Sequence, residues 1–352
     1  MRVEILGPAD AGRWREFVAQ APAGDVLQCM EWGALKTRTG WTPFALAVTD
    51  GDRLVTGALV LKRPAPLGRC LLYCPRGPIV DFQDAAALDC LTEGLRQLGR
   101  EHRALLVKVD PAVSDEASAS ALRRAGFRRA PGEDRGFGGG VQPGAVMKTE
   151  LLPDDEAMLA RFKPKWRYNI RLAEKKGVTV TGETTREDLT RFYALLQETG
   201  SRDGFHVRDR HYFEALWDCV VEPGLARLFV ASHEGRPIAG ALDFILGRQC
   251  WYVYGASSND LRQLMPNHLL QWTMMRWARD QGCRVYDFRG VALDRPGVET
   301  PVDGLARFKA GFAAEYVEYV GEWDLPLSPL LYGAFALLEP RLRRVRLKLR
   351  RG

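Results

Sequence analysis

The sequence LRRAGF at residues 122–127 returns in altered form as RFKAGF at residues 307–312. A Gly-Ala-Leu segment precedes each copy. Gly57 lies 69 residues before the glycine of the first copy, and Gly240 lies 71 residues before the glycine of the second. Matched segments in the same order and at nearly the same spacing indicate an internal repeat. The repeat predicts two structural units of similar topology.

The segments between these landmarks also correspond. In each half a second strand, a helix and a buried strand ending in an acid follow the Gly-Ala-Leu strand. These are residues 70–74, 84–102 and 104–110 in the first half, and 249–254, 267–281 and 284–287 in the second. This order resembles the GNAT acyltransferase fold, and we therefore predict an α/β protein with two tandem GNAT-like domains. Two unrelated α/β units are the alternative, because such short identities also arise by chance.

Length and composition describe a globular protein of about two domains. The chain has 352 residues, of which 46% are hydrophobic and 27% charged. No apolar run approaches the ~18 residues that a membrane-spanning helix needs, and the N-terminal sequence lacks the pattern of a signal peptide. We therefore expect a cytoplasmic protein.

The cysteines and histidines indicate neither a disulfide framework nor a metal site. The seven cysteines include no Cys-x-x-Cys pair, and the five histidines lack the spacing of metal ligands. We expect reduced cysteines in the core and no metal ion.

Neither half offers a turn suited to coenzyme A. GNAT enzymes hold its pyrophosphate on a glycine-rich turn at a helix N-terminus, where free N–H groups and the helix dipole meet the charge. The second half has LRQLMPN at residues 261–267, without glycine and with a proline, and the first half has acids at Asp81 and Asp84. We therefore expect an acyl donor other than acetyl-CoA and no cofactor.

Most of the positive charge lies at the C-terminus. Residues 340–352 carry seven Lys and Arg side chains, so the +6 total leaves 6 − 7 = −1 for the rest. Leu342, Val345 and Leu349 would share one face of a helix, a pattern that favours peripheral contact with an anionic membrane. Contact with the tRNA backbone and a merely solubilising end are the alternatives.

Longer segments carry a more specific signal, and they follow one another in a consistent order. They are LQCMEWGALK (27–36), YCPRGPIVDF (73–82), KVDP (108–111), KWRYNIRLAEKKGV (165–178), WYVYGASS (251–258), LMPNHLLQW (264–272), YDFRGV (286–291), and GLARFKAGF (304–312) with EYVGEWDLP (318–326). Together they resemble the Fem (FemABX) family of peptidoglycan-bridge aminoacyltransferases. The resemblance covers the chain from Leu27 to about Tyr332.

This resemblance implies transfer of an amino acid from aminoacyl-tRNA to the side-chain amine of a peptidoglycan stem peptide. The acceptor would be lipid II or UDP-MurNAc-pentapeptide, and the protein would be a monomer. Residues 1–150 would form the muropeptide-binding domain, with residues 327–352 packing back on it. Residues 151–326 would form the aminoacyl-tRNA side. No charged heptad run is present, so we expect no coiled-coil arm.

The resemblance also assigns binding residues. Lys36 and Arg208 would contact the precursor's phosphates, and Tyr212 follows Arg208 by one helical turn. Tyr252 and Tyr254 alternate along one strand, so we predict that both line a channel from the same face. The structural alternatives are a helix-capping Lys36, a core Tyr252 and an Arg208 that pairs with Asp209 or Asp203.

Two further residues would face the tRNA terminus. Phe308 would stack on the terminal adenine, and Lys309 would neutralise phosphate or the oxyanion of the ester. For the general base we predict Asp110, at the end of the buried strand and ahead of Pro111. Its alternative is a capping role, and the corresponding Asp287 is expected to be structural. An aminoacyl ester is already activated, so direct attack by the amine suffices.

Three other functions compete with this interpretation. A CoA-dependent GNAT N-acyltransferase would bind acetyl-CoA. A Fem-like transferase of a lipid or exopolysaccharide pathway would use charged tRNA with another acceptor. A non-enzymatic RNA-binding module would need basic faces throughout, whereas the body of this chain is nearly neutral.

Overall fold

The computed structural model describes residues 1–131, 141–292, 304–328, 331–333 and 336–337. These residues form two compact units. Unit 1 comprises residues 1–144 and the described residues from 318 onward, and unit 2 comprises residues 145–317. The predicted boundaries after residues 150 and 326 both lie too far along the chain. Residues 145–150 form a strand of the unit 2 sheet, and residues 323–326 form a strand of the unit 1 sheet.

Unit 1 is a seven-stranded sheet with helices packed against it. Its elements are β1 (Arg2–Leu6), α1 (Ala11–Gln20), α2 (Met30–Thr37), β2 (Thr42–Asp50), β3 (Arg53–Ala65), β4 (Arg69–Cys74), α3 (Ala85–Glu101), β5 (Ala104–Val109), α4 (Glu116–Arg124), β6 (Arg128–Arg129) and β14 (Trp323–Pro326). The strand order is β1-β2-β3-β4-β5-β14-β6. Only the β4–β5 pair among these described pairs is parallel.

Helix α3 shows how the sequence builds this layer. The Asp84 side chain accepts a hydrogen bond from the Ala87 N–H at 2.9 Å and thereby caps the helix. Leu88, Leu91 and Leu95 recur at helical spacing and are buried in the unit 1 core. Capping and burial therefore fix the helix that leads into β5.

The C-terminal segment belongs to unit 1. Strand β14 pairs with β5 and β6, and the Leu327 N–H then donates to the Leu105 carbonyl at 3.2 Å. The Tyr332 hydroxyl donates to Asp324 at 3.2 Å. The predicted basic membrane helix at residues 340–352 lies outside the described residues.

Unit 2 repeats the arrangement. Its elements are β7 (Ala145–Glu150), α5 (Asp155–Arg161), α6 (Pro164–Lys175), β8 (Val178–Thr181), α7 (Arg186–Asp203), α8 (Arg210–Leu216), β9 (Ala226–His233), β10 (Arg236–Leu246), β11 (Gln249–Ser257), α9 (Pro266–Asp280), β12 (Val285–Val291), α10 (Gly304–Ala310) and β13 (Glu315–Glu318). The strand order is β13-β7-β12-β11-β10-β9-β8, with β11 and β12 parallel.

The predicted repeat is therefore present element by element. Strands β3, β4 and β5 correspond to β10, β11 and β12, helix α3 corresponds to α9, and α4 corresponds to α10. The parallel pair that follows the long helix recurs in both sheets. In the described part of the chain, no helix has the length and apolar character needed to cross a bilayer.

Candidate functional site

The two tyrosines of β11 lie on opposite faces of the unit 2 sheet. Tyr254 pairs with Leu242, whereas Tyr252 pairs with Asp243, and a register shift separates the two pairs. Because Leu242 and Asp243 are consecutive, their partners point to opposite faces. The extra residue, Val253, forms a β-bulge. The prediction that Tyr252 and Tyr254 share a face is therefore wrong.

Each tyrosine has a different environment as a result. Tyr252 packs against the apolar core that contains Met274 and Met275 of α9. Tyr254 contacts Phe213 of α8, with ring centroids 5.2 Å apart. Tyr252 is therefore a core side chain, and only Tyr254 reaches the face that α8 covers.

Five side chains of unit 2 form a group that we call the arginine–tyrosine cluster: Arg208, Tyr212, Trp251, Tyr254 and Arg289. The hydroxyl groups of Tyr212 and Tyr254 are 3.0 Å apart. The Arg208 guanidinium lies over the Tyr212 ring at 4.6 Å, and the Arg289 guanidinium lies 5.7 Å from the Trp251 ring. Trp251 pairs with Phe244, two residues from the partner of Tyr254, so Trp251 and Tyr254 share a face.

The electrostatics of the cluster centre on Tyr254. Burial raises the pKa of its phenol, whereas the hydrogen bonds and charge of Tyr212 and Arg208 and the charge of Arg289 lower it. Both arginines therefore act on the same phenol. Guanidinium groups bind carboxylate and phosphate oxygens through directed N–H donors. The cluster has the chemistry of an anion-binding surface.

The structural alternatives for Arg208 do not apply. Asp209 caps α8 by accepting the Tyr212 N–H at 2.8 Å. Asp203 forms an ion pair with Arg202 at 2.8 Å. Arg208 is exposed on one side and stacks on Tyr212 on the other.

A second bulge presents Arg289. Strand β12 shifts register against β7 between Asp287 and Gly290. Arg289 has a left-handed backbone, with φ of 59°, a conformation that costs an L-residue roughly 1–2 kcal/mol. Its N–H donates to the Asp287 Oδ1 at 2.6 Å. The other carboxylate oxygen, Oδ2, is buried without a hydrogen-bond partner among the described residues.

Lys309 also contacts this bulge, through its backbone carbonyls. Its Nζ donates to the Arg289 carbonyl at 3.2 Å and to the Gly290 carbonyl at 2.6 Å. Lys309 is 3% exposed. Its ammonium group therefore contacts the backbone of β12, and in this conformation it is not presented to solvent as a tRNA phosphate contact would require.

Phe308 lines a small cavity at the start of α9. The cavity has a volume of about 200 Å³, and its lining includes Ser258, Arg262, Met265, His268 and Phe308. The His268 and Phe308 rings contact each other at 5.2 Å. The cavity therefore combines aromatic walls with a cation at its rim.

His268 is neutral in this environment. Burial, followed by the charge of Lys165, lowers its pKa to about 4. The Asn169 amide nitrogen lies 3.0 Å from its Nε2. Because the amide donates, Nε2 accepts and the proton resides on Nδ1. His268 thus supplies one N–H donor without a charge.

Asp110 lies in a buried polar network in unit 1, directly after β5. Its Oδ2 accepts the Tyr73 hydroxyl at 2.8 Å, and its Oδ1 accepts the Arg76 N–H at 2.6 Å. The Arg76 guanidinium stacks over Tyr319 at 4.7 Å and donates to the Pro143 carbonyl at 2.7 Å. Asp110 itself is 2% exposed.

In this network the pKa of the Asp110 carboxyl lies near neutral pH. Burial raises its pKa to about 7, the nearby Arg76 charge lowers it, and Glu322 raises it. A carboxyl with a pKa near the working pH suits general-base catalysis. Both of its oxygens are engaged, however, so any proton must reach it through a neighbour, and Tyr73 is the neighbour with a hydroxyl.

Lys36 lies near the end of α2 in unit 1. Its ammonium is 4.5 Å from the Trp32 ring centroid, and the side chain is half-buried. The predicted site residues therefore divide between the units. Lys36 and Asp110 belong to unit 1, and the remaining six belong to unit 2.

A larger cavity of about 790 Å³ lies in unit 1 near the start of α3. Its lining mixes Arg13 and Arg53 with Glu16, Asp81 and Asp115. This mixed charge does not favour a pyrophosphate. The described acids, cysteines and histidines form no group that could hold a metal ion.

Four residues of the site were not predicted from the sequence: Arg289, His268, and Tyr73 and Arg76, the partners of Asp110. A signal was available, since all four residues lie within the motif segments 73–82, 264–272 and 286–291. Motif membership did not single them out, because their roles depend on a bulge, a cavity and a buried network.

Comparisons with known proteins agree with the fold and extend it. The FemAB family matches residues 11–233, and an acetyltransferase (GNAT) domain matches residues 160–309. A crystal structure of FemX superimposes with a TM-score of 0.86 at 27% identity, over 96% of this chain and all of that one. A tandem GNAT protein from the clavulanic acid biosynthesis pathway shares the fold alone, with a TM-score of 0.55 and 13% identity over 93% of this chain and 99% of that one. The predicted tandem GNAT-like fold is confirmed.

Similar sequences cover almost the whole chain. The lipid II:glycine glycyltransferase of Staphylococcus saprophyticus is 31% identical across 95% of this chain and 96% of its own length. The lipid II:glycine glycyltransferase of Staphylococcus aureus strain USA300 is 30% identical over the same shares. The likeness thus includes both units rather than one shared domain.

Proposed function

The chain belongs to the FemAB family and is an aminoacyltransferase, and from that premise we propose that it extends a peptidoglycan stem peptide with an amino acid taken from aminoacyl-tRNA. The observation that carries the proposal is the end-to-end likeness to two lipid II:glycine glycyltransferases. The acceptor is the side-chain amine of the stem peptide, and the product is an interpeptide bridge.

The donor side of the proposal rests on the start of α9. Pro266 occupies the first turn of that helix, where a CoA-dependent enzyme needs free N–H donors. The cavity there is lined by Phe308 and His268. Aromatic side chains stack on nucleobases without sequence preference, and Arg262 at the rim matches a backbone phosphate. These features support the 3′-terminal adenosine of a tRNA as the occupant.

The acceptor side rests on cationic groups. In unit 2 the arginine–tyrosine cluster offers the exposed Arg208 guanidinium beside two phenols. A muropeptide precursor carries phosphates next to its sugar, and arginine binds phosphate through paired donors. Lys36 is the corresponding proposal for unit 1.

The reaction itself needs no covalent intermediate. The acceptor amine attacks the ester carbonyl, the new C–N bond forms, and the C–O bond to the tRNA ribose breaks. The amine loses a proton and the ribose oxygen gains one. We assign the amine's proton to Asp110 through the Tyr73 hydroxyl, because the two groups are 2.8 Å apart and the carboxyl titrates near pH 7.

Membrane association also belongs to the proposal. Lipid II is a membrane lipid, and residues 340–352 carry seven cations. Each cation near an anionic leaflet contributes about 1 kcal/mol. Deleting residues 340–352 should therefore reduce sedimentation with anionic vesicles, and unaltered sedimentation would remove the tail from the proposal.

Reconstitution with purified protein tests the function. The assay supplies a panel of charged tRNAs with UDP-MurNAc-pentapeptide or lipid II, and mass spectrometry follows the acceptor. We expect a mass increase of one or more amino-acid residues that ribonuclease treatment of the tRNA abolishes. Acetylation from acetyl-CoA, or an aminoacylated phospholipid with an unchanged muropeptide, would show that the acceptor or donor class is wrong.

A further inference from the structure

The backbone at Arg289 is held in an unfavourable conformation by two groups. Its φ of 59° lies in the left-handed region, and the residue is not glycine. The Asp287 carboxylate accepts its N–H, and the buried Lys309 ammonium donates to the carbonyls of Arg289 and Gly290. Strained residues fixed from several sides concentrate at functional sites.

The cost of this arrangement is not limited to the backbone. An ammonium group that is 3% exposed has lost most of its hydration, and removing a charge from water is costly. Asp287 is fully buried, and its Oδ2 has no hydrogen-bond partner within the described ranges. A simple strand ladder at this position would need neither charge. The bulge is therefore difficult to explain as a means of stabilising the sheet.

The consequence of the bulge is the direction of the Arg289 side chain. A bulge redirects side chains relative to a regular strand. Here the guanidinium lies by Trp251, which shares a face with Tyr254. Arg208 reaches the same cluster from the segment ahead of α8. The two arginines therefore approach one phenol from different elements.

We propose that Arg289 is a second phosphate-binding arginine of the arginine–tyrosine cluster and that Asp287 and Lys309 are positioning residues that fix its backbone. The ligand class is a pyrophosphate or a phosphate ester. Its identity as the phosphate of a muropeptide precursor rests on the proposed function, whereas the anion site itself does not. Lys309 then acts on the acceptor side, through Arg289.

An alternative is that Arg289 only packs on Trp251. Arg227 provides a matched control, because its guanidinium lies over the Trp277 ring at 5.2 Å in the same unit. If Arg289 only packs on Trp251, Arg289→Gln and Arg227→Gln each lose one cation–π contact and should change pyrophosphate affinity to the same extent. If Arg289 binds the anion, only Arg289→Gln should weaken pyrophosphate binding.

The test is calorimetric titration with inorganic pyrophosphate at low salt. We expect Arg289→Gln to weaken binding at least tenfold, Arg289→Lys to recover part of the affinity, and Arg227→Gln to stay within twofold of the unmodified protein. Thermal unfolding of each variant shows that it is folded. Unchanged binding in Arg289→Gln, or no pyrophosphate binding by the unmodified protein, would overturn the proposal.

The positioning role has its own readout. Lys309→Met should weaken pyrophosphate binding, and the Lys309→Met/Arg289→Gln double variant should bind no more weakly than Arg289→Gln alone, within twofold. Lys309→Arg should recover part of the affinity. If the double variant loses affinity by the product of the two single-variant losses, Lys309 does not act through Arg289.

The aminoacyl-transfer assay separates this inference from the proposed function. Arg289-dependent pyrophosphate binding without muropeptide extension would leave the anion site standing and reject the function. If the protein extends the muropeptide but Arg289→Gln leaves the acceptor KM unchanged, the proposed function stands and the role of Arg289 in binding the acceptor is rejected.

Discussion

The two repeated units use a buried acid in different ways. In unit 1, Asp110 follows β5, has both oxygens bonded, and accepts the N–H of Arg76, whose φ is 56°. In unit 2, Asp287 lies within β12 and accepts the N–H of Arg289, whose φ is 59°. Each acid thus holds the backbone of a left-handed arginine, which follows β4 in unit 1 and lies inside β12 in unit 2.

The arginine side chains then diverge. Arg76 is 2% exposed, and its guanidinium is occupied by Tyr319 and the Pro143 carbonyl. Arg289 is half-buried and belongs to the arginine–tyrosine cluster. A buried acid that accepts the N–H of a left-handed arginine therefore completes an interior network through a long-range contact in unit 1, and fixes a cation of the arginine–tyrosine cluster through a local contact in unit 2. Fold repetition does not imply repetition of function.

The largest expected effect concerns the unit 1 acid. Asp110→Asn should lower kcat by roughly 10²- to 10⁴-fold, the usual contribution of a general base. Tyr73→Phe should lower kcat in the same range if the phenol relays the proton. Steady-state kinetics with both substrates measures this, and Asp287→Asn is the comparison across the repeat.

Asp287→Asn should instead raise the acceptor KM more than it lowers kcat, because Asp287 acts through Arg289. Equal kcat losses in Asp110→Asn and Asp287→Asn would remove the division of roles between the units. An Asp110→Asn enzyme with unchanged kcat would restrict Asp110 to a structural role.

The next largest effects are on KM, and they distinguish residues that bind the acceptor from residues that bind aminoacyl-tRNA. Arg208→Gln should raise the acceptor KM roughly ten- to a hundredfold, as expected for loss of about 1.5–3 kcal/mol from a charge-assisted contact. Lys36→Ala should act in the same direction. Phe308→Ala should raise the KM for aminoacyl-tRNA instead, since stacking on a base contributes about 1–3 kcal/mol. Matching changes in both KM values for Arg208→Gln would argue against a dedicated acceptor contact.

A smaller effect appears in the pH dependence of stability. The pKa of Asp110 is raised to about 7 in the folded protein, against about 4 when unfolded. The folded state therefore holds more protons than the unfolded state between these values, and its stability falls as pH rises from about 4 to 7. Asp110→Asn removes this contribution.

Urea unfolding at several pH values measures the difference. The free energy of unfolding of Asp110→Asn, minus that of the unmodified protein, should increase as pH rises toward 7. Above pH 7 this difference should stay constant. Burial also raises the pKa of Asp243, to about 8, so a residual decline at higher pH belongs to unit 2. If this stability difference instead decreases as pH rises, the pKa of Asp110 is not raised in the folded protein.

The smallest effect compares the two tyrosines of β11. Tyr254→Phe removes a hydroxyl 3.0 Å from that of Tyr212 and should raise the acceptor KM severalfold. Tyr252→Phe should leave both KM values unchanged, because Tyr252 packs into the core on the other face. A change in acceptor KM for Tyr252→Phe would indicate that the bulge at Val253 is not maintained in solution.

The sequence was sufficient for the fold and insufficient for the details of the site. The Gly57 and Gly240 strands, the long helices and the Gly-Phe turns follow from spacing and apolar periodicity, both of which are local properties. The bulge at Val253 contains no glycine or proline, and at the second bulge the left-handed residue is Arg289 rather than the neighbouring Gly290. Each bulge reverses or redirects the side chains near it. The two-residue period of a regular strand therefore predicted the wrong face for Tyr252.

Long-range pairing explains the other differences. The unit boundaries depend on β7 and β14, short strands that join sheets formed by distant parts of the chain. The buried Lys309 ammonium donates to carbonyls of the β12 bulge, which lie about twenty residues away in sequence. Neither could be inferred from local pattern. Arg208 and Tyr212 are only four residues apart, and the shared face predicted for them agrees with the guanidinium lying 4.6 Å from the ring.

Transfer of a labelled amino acid in a single turnover tests whether this protein moves an amino acid from tRNA to the muropeptide. The enzyme, in excess, receives aminoacyl-tRNA charged with the radiolabelled amino acid, together with UDP-MurNAc-pentapeptide and phospholipid vesicles. We expect the label to move from tRNA to the muropeptide, and Arg208→Gln and Arg289→Gln to slow this transfer at low acceptor concentration only. Label that stays on tRNA with every amino acid tested, or that moves to phospholipid alone, would contradict it.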